Sequence, residues 1–229
     1  MNTKEKIKIG VICNPQEKIG DYLNWIDRIS SEYDHINFEY RELQLNDMGD
    51  DIDVLIIGGD SLNGNDKIIN EFNSFYYEVL MKHYAKKTRI LAIDWGFHLI
   101  NASVGGVNEK INYDIYNRHS TEAKTGYSVW HMNTLYLPLP NKKEKFKGIH
   151  NFQVNSKHKN HVHILGRGMV PICYSDDGII EGAIGHDDSL FIQWHPELPE
   201  LSGWVGSEII ERWIVNGFKK LTGKAPVKN

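Results

Sequence analysis

Residues 89–106 read Arg-Ile-Leu-Ala-Ile-Asp-Trp-Gly-Phe-His-Leu-Ile-Asn-Ala-Ser-Val-Gly-Gly, an apolar run that meets Asp94 and then passes into a helical pattern. A side chain on such a strand-to-helix turn is held clear of the sheet and faces the first amides of the helix, the arrangement used for exposed nucleophiles and anion sites. Further on the chain reads Phe191-Ile192-Gln193-Trp194-His195-Pro196-Glu197, a second apolar run that ends in a histidine and a carboxylate. Asp94, His195 and Glu197 are of the types needed for an acid, a base and an orienting carboxylate. His98, four residues after Asp94, falls on the same helix face.

These residues need a framework. Ile7 to Cys13 is a mostly apolar run closed by Asn14-Pro15, which reads as a buried strand and a turn. Tyr22, Trp25, Ile26 and Ile29 recur at helical spacing within 19–33. Alternation over 36–43 and the apolar Val54 to Ile57 before Gly58-Gly59 give two more strands, and 68–84 has the length of a helix before the strand Ile90 to Ile93. The order β-α-β-β-α-β-turn-α predicts a parallel sheet with helices on both faces and its site at the strands' carboxyl ends.

Beyond Gly105-Gly106 the texture changes. Alternation in 134–139 and 152–155 predicts an added hairpin region within about 108–165, and strands are expected at 170–174, 179–184 and 190–194. Asp176-Asp177-Gly178 and His186-Asp187-Asp188 mark the turns between them, and an amphipathic helix closes the run over 207–221. Trp25 and Trp213 sit among apolar residues at helical spacing and read as core.

The 229 residues fit one α/β domain spanning 1–229. A net charge of -4 with both signs interspersed gives no broad cationic field for nucleic acid, and Lys142 to Lys147 reads as a solvated loop. No apolar stretch is long enough for a membrane span, and the charged start lacks the apolar core of a secretory signal, so a soluble, cytoplasmic protein is expected. Cys13 and Cys173 lie in separate apolar runs and read as buried free thiols rather than a disulfide or zinc pair. No motif calls for a cofactor.

Five segments in order carry a resemblance. They are Val54 to Gly59, Ile90 to Gly106, Phe152-Gln153-Val154-Asn155-Ser156-Lys157-His158, Asp177-Gly178-Ile179-Ile180-Glu181-Gly182, and Phe191 to Glu197. Together they resemble a class I glutamine amidotransferase, with its flavodoxin-like, mostly parallel sheet, and within that group are most similar to the gamma-glutamyl hydrolases. In that family the elbow reads Gly-Ile-Cys-x-Gly-x-Gln, whereas this chain has Ala92-Ile93-Asp94-Trp95-Gly96-Phe97-His98. The resemblance implies that Asp94 stands in place of the nucleophilic cysteine and His98 in place of the glutamine. It implies further that His195 is the base, that Glu197 fixes its tautomer, and that the amides of Trp95 and of one glycine of Gly58-Gly59 form an oxyanion hole. His158 would border the pocket, Asp60 would shape its rim, and Trp95 would narrow its mouth. His161 and His163 read as surface or strand histidines.

The replacement governs the expected activity. A thiolate is a strong nucleophile easily formed beside histidine, while a carboxylate attacking an amide would give an anhydride against a poor leaving group. Ordinary glutaminase activity is therefore expected to be lost. Three readings follow: a module that binds a small gamma-glutamyl-like ligand or a partner, a synthase among the candidates; a hydrolase of altered chemistry working through Asp94 with His195 and Glu197 on an amide, ester or phosphate-containing small molecule; or a divalent-metal site on Asp94, His98 and His195, with Glu197 as a fourth candidate.

Overall fold

The structure is a computed structural model that describes residues 5–13, 19–44, 46–59, 66–112, 118–119, 129–138 and 146–221. Its first half runs β1 (Glu5–Cys13), α1 (Ile19–Glu32), β2 (Ile36–Glu42), β3 (Val54–Gly58), α2 (Asp66–Lys86), β4 (Arg89–Ile93) and α3 (Trp95–Ser103). The second half runs β5 (Val107–Lys110), β6 (Val129–Pro138), β7 (Phe146–Ser156), β8 (Asn160–Ile164), β9 (Val170–Ser175), β10 (Ile180–Ile184) and β11 (Leu190–Ile192). A short turn of 3-10 helix at Pro199–Leu201 precedes α4 (Val205–Leu221).

The strands join in the order β2-β1-β3-β4-β11-β10-β9-β6-β7. From β2 to β11 every pairing is parallel, which is the βαβ-built part that the alternating pattern predicts. From β11 onward the sheet continues antiparallel through β10, β9, β6 and β7, so the whole is mixed. The added hairpin region is present as the long β6-β7 pair and as β5 paired with β8, which also meets β10 at Ile180 and Val162.

Strand alternation sorts the core into two layers. Val54, Ile56, Leu91, Ile93 and Ile192 pack with Trp25 and Ile29 of α1 and with Ile210 and Trp213 of α4. Leu55, Ile57, Ile90, Ala92 and Phe191 face the other way, against Tyr76 and Val79 of α2 and Phe97 and Ile100 of α3. Helices thus cover both faces of the parallel strands, each fully buried large side chain contributing roughly 1.5–3 kcal/mol. Both core tryptophans also place their indole N–H on acceptors, Trp25 on Glu211 at 3.0 Å and Trp213 on the Asp188 carbonyl at 2.8 Å.

Cys173 is buried as expected, but Cys13 at the end of β1 is only partly so; neither is in a disulfide. Residues 142–145 of the basic run lie outside the described residues. No helix among the described residues is long and apolar enough to cross a membrane.

One register positions the site. β11 lies parallel beside β4, with Phe191 opposite Ala92 and Ile192 opposite Ile93. The two chemistry-bearing segments, far apart in sequence, therefore leave the sheet side by side.

Candidate functional site

Asp94 sits between β4 and α3 with φ 45 and ψ -105. Such a backbone costs roughly 1–3 kcal/mol in a residue with a side chain and persists only where its surroundings fix it. Here they do: the Asp94 amide donates to the Ile192 carbonyl at 2.8 Å, and its carbonyl accepts from the His98 amide at 3.1 Å. Gly96 is required by close packing, because a β-carbon there would stand 2.3 Å from the Ile57 carbonyl oxygen. Aspartate commonly caps a helix with its side chain, yet the Asp94 carboxylate makes no capping bond to α3.

The carboxylate instead faces two histidines. Its Oδ2 lies 3.6 Å from His195 Nε2 and its Oδ1 lies 3.7 Å from His98 Nε2. On the far side of the His195 ring, Nδ1 bonds Glu197 Oε1 at 2.7 Å. All four side chains are buried or nearly so, with Asp94 3% exposed and His98 9%. Asn155 fixes the strand end beneath: its amide nitrogen donates to the His195 carbonyl and its oxygen accepts from the His195 amide, both at 3.0 Å.

Burial works against charge at each position, and the neighbours outweigh it. Desolvation would raise the Asp94 carboxyl, but His195 and His98 hold it well below the usual carboxylate range. Desolvation would likewise lower His195, but Glu197 and Asp94 raise it well above the ordinary histidine value. The pair thus favours an Asp94 carboxylate beside a His195 imidazolium. An imidazolium has no lone pair to take a proton, so the Asp94 carboxylate disfavours the neutral form in which His195 could serve as a base.

The amide expected in the oxyanion hole is engaged elsewhere. Trp95 N–H donates to the Gly59 carbonyl at 3.0 Å, so the Gly58-Gly59 turn presents an acceptor to this amide, and the expected pair of donors does not open onto a shared point. Gly58 is buried, with the Tyr22 hydroxyl where a β-carbon would be, 2.1 Å away. Asp60 lies outside the described residues. Trp95 does border the mouth, in edge contact with Tyr76 at 4.8 Å between ring centres. It forms one wall of an open cleft of about 730 Å³, together with Ser74, Tyr77, Glu78, His98, Leu99 and Asn108. Asn108 also steadies its neighbour, donating to the His98 carbonyl at 2.8 Å.

Asp94, His98 and His195 do not converge as a metal set: each histidine meets a different carboxylate oxygen, and the three ligand atoms do not form a mutual group. Convergence occurs in a different place. His119, His131, His158 and Glu181, all buried, bring one ligand atom each within 4.8 Å of the others. His158 therefore lies in a buried cluster rather than on the cleft wall. The sequence marks neither His119 nor His131, and it marks Glu181 only as part of a longer motif. These residues are separated by long intervals on different elements, so no local spacing could have exposed them. As expected, His161 is part-exposed and His163 exposed.

Comparison with known proteins agrees with the architecture. The model of the family described as Peptidase C26 matches residues 47–197. A Schizosaccharomyces pombe protein provisionally named glutamine amidotransferase is 26% identical over 173 residues, covering 69% of this chain and 67% of its own. Among solved structures, a glutamine amidotransferase of Thermotoga maritima superposes with a TM-score of 0.62 at 11% identity, over 96% of this chain and 99% of its own. A Thermoplasma acidophilum protein, provisionally named as one of the subunits of a GMP synthase, gives 0.64 at 14% identity, over 94% and 95%. These distant likenesses establish the class I glutamine amidotransferase fold.

Proposed function

The chain belongs to the Peptidase C26 family, and on that premise we propose that it is a member which binds a small gamma-glutamyl-like ligand without hydrolysing it, Asp94 standing where its gamma-glutamyl hydrolase relatives carry the cysteine. The observation that carries this reading is the clamp on Asp94. Its carboxylate faces His195 at 3.6 Å and His98 at 3.7 Å, and His195 is itself bound to Glu197. A carboxylate balanced by buried imidazole groups is a poor nucleophile, and attack on an amide would have to displace an amine from an anhydride-forming intermediate. The engaged Trp95 amide removes a donor that would stabilise the developing oxyanion.

Recognition falls to the cleft in front of the elbow. Glu78 suits an α-ammonium group, while Ser74 and Tyr77 offer hydrogen bonds to a carboxylate or amide, and Trp95 and the His98 ring supply walls. A synthase-type partner is the natural recipient of such a domain, since one structural relative is named as part of a synthase. In this chain such a partner would read ligand occupancy rather than receive ammonia.

The test is thermal stability with L-glutamine and a series of gamma-glutamyl amides, in wild type and Asp94→Asn. The proposal expects a saturable rise in Tm that Asp94→Asn retains, because the contacts lie in the cleft. No rise with any member of the series, or a rise abolished along with turnover in Asp94→Asn, would overturn it.

A further inference from the structure

The cluster of His119, His131, His158 and Glu181 shares no residue with the Asp94, His195 and Glu197 grouping. His119 Nδ1 stands 3.2 Å from His158 Nε2 and 3.5 Å from Glu181 Oε1. Glu181 Oε1 is also 3.2 Å from His158 Nε2 and 3.8 Å from His131 Nε2. Zinc bonds to nitrogen and oxygen of roughly 2.0–2.2 Å, set at tetrahedral angles, place neighbouring ligand atoms about 3.3–3.6 Å apart. These four separations fall around that tetrahedron edge.

The outer hydrogen bonds point the same way. His119 Nε2 is 3.0 Å from Asp177 Oδ2, and Asp177 is held in turn by the Ser175 hydroxyl at 2.5 Å. His158 Nδ1 is 2.9 Å from the Asn160 carbonyl, which can only accept. The outer nitrogens of both rings therefore carry the protons, and their inner nitrogens turn lone pairs towards each other and towards a carboxylate. Neutral rings so arranged repel unless a cation, either a metal ion or an added proton, lies between them. Histidine ligands to metals are commonly oriented in this way, by a carboxylate or a backbone carbonyl on the outer nitrogen. Both ring nitrogens of His131 and both oxygens of Glu181 make no hydrogen bond with described residues, although all are buried. Buried polar groups left without partners are costly, and a metal would satisfy the inward-facing ones together.

We propose that His119, His131, His158 and Glu181 bind one divalent transition-metal ion, zinc by the character of its ligands, in a closed structural site. Three imidazoles and one carboxylate suit zinc, and four protein ligands leave no open position for substrate. The site joins His131 on β6, Glu181 on β10, His158 between β7 and β8, and the segment holding His119, so the ion ties the antiparallel half of the sheet together.

Untagged protein purified without chelator is assayed for metal by mass spectrometry, then stripped and reloaded with zinc or cobalt(II). One zinc per chain is expected, with a lower Tm after stripping that zinc restores. Cobalt is expected to give the intense visible bands of tetrahedral coordination, lost in His131→Ala and Glu181→Gln. His98→Ala and His163→Ala retain them, which separates this site from the elbow and from the exposed Glu109, His161, His163 group. Wild-type protein that holds no stoichiometric ion and gains no stability from zinc or cobalt would overturn the proposal, as would equal zinc binding by wild type and His131→Ala.

Discussion

The imidazole of His195 lies 3.6 Å from the carboxylate of Asp94 across the strand-to-helix turn. Its other nitrogen is tied to Glu197 at 2.7 Å, so one buried ring is shared by two carboxylates. Removing one partner of a buried ion pair strands the other charge, at a cost of about 3–5 kcal/mol. His195→Gln would leave Glu197 without its partner and Asp94 facing His98 alone, and is expected to lower Tm by roughly 6–20 °C, measured by calorimetry at pH 6.

The same pair sets a pH dependence. The Asp94 carboxyl is depressed, so its contribution is present above its unfolded value near pH 4 and is lost as the pH falls through its lower folded value. His195 is raised, so its contribution is complete below its unfolded value near pH 6.5 and is lost as the pH rises through its higher folded value. Urea denaturation of wild type and His195→Gln is therefore expected to differ most between about pH 4 and 6.5, the gap narrowing on either side. A gap that widens steadily above neutral pH would reverse the sign of the assignment.

Asp94→Cys supplies a thiol at the elbow but does not free the Trp95 amide. Because Trp95 N–H is bonded to the Gly59 carbonyl, this variant is expected to release no more ammonia from L-glutamine than wild type. Loss of a single oxyanion donor alone costs about a hundred- to a thousand-fold in rate. Strong ammonia release would show that the Gly59 turn opens in solution.

Gly96→Ala tests the tightness of the elbow. The added methyl group would meet the Ile57 carbonyl at 2.3 Å, and overpacking of this kind costs about 1–3 kcal/mol or more, read as a lower urea midpoint. Unchanged stability would mean that α3 shifts freely away from β3.

Asn155→Ala removes two reciprocal bonds to the His195 backbone. Leaving those buried groups unpaired is expected to cost about 2–4 kcal/mol, measurable in the same denaturation series.

The fold was legible where periodicity is local. The apolar runs Val54 to Ile57 and Ile90 to Ile93, and the helical spacing of Tyr22, Trp25, Ile26 and Ile29, predict elements close to those observed. The elbow and the grouping of Asp94 with His195 and Glu197 could be read because each segment carries its polar residues within a few positions, and parallel pairing of β4 with β11 brings them together. What could not be read depends on distance in the fold. The Gly59 carbonyl meets the Trp95 amide through the backbone of a separate segment, and no side-chain pattern encodes that contact. The grouping of His131 with Glu181 follows from antiparallel pairings of β6, β9 and β10 that no short motif specifies, and His119 joins them from a turn outside the strands.

The central claim is that Asp94 is held by its ion pairs and is not a nucleophile. Its most direct test is turnover of L-glutamine and gamma-glutamyl amides in oxygen-18 water, followed by mass spectrometry of the peptide containing Asp94. The account predicts no ammonia or amine above the Asp94→Asn background and no label in the Asp94 carboxylate. Release that Asp94→Asn abolishes, with oxygen-18 appearing at Asp94, would contradict it.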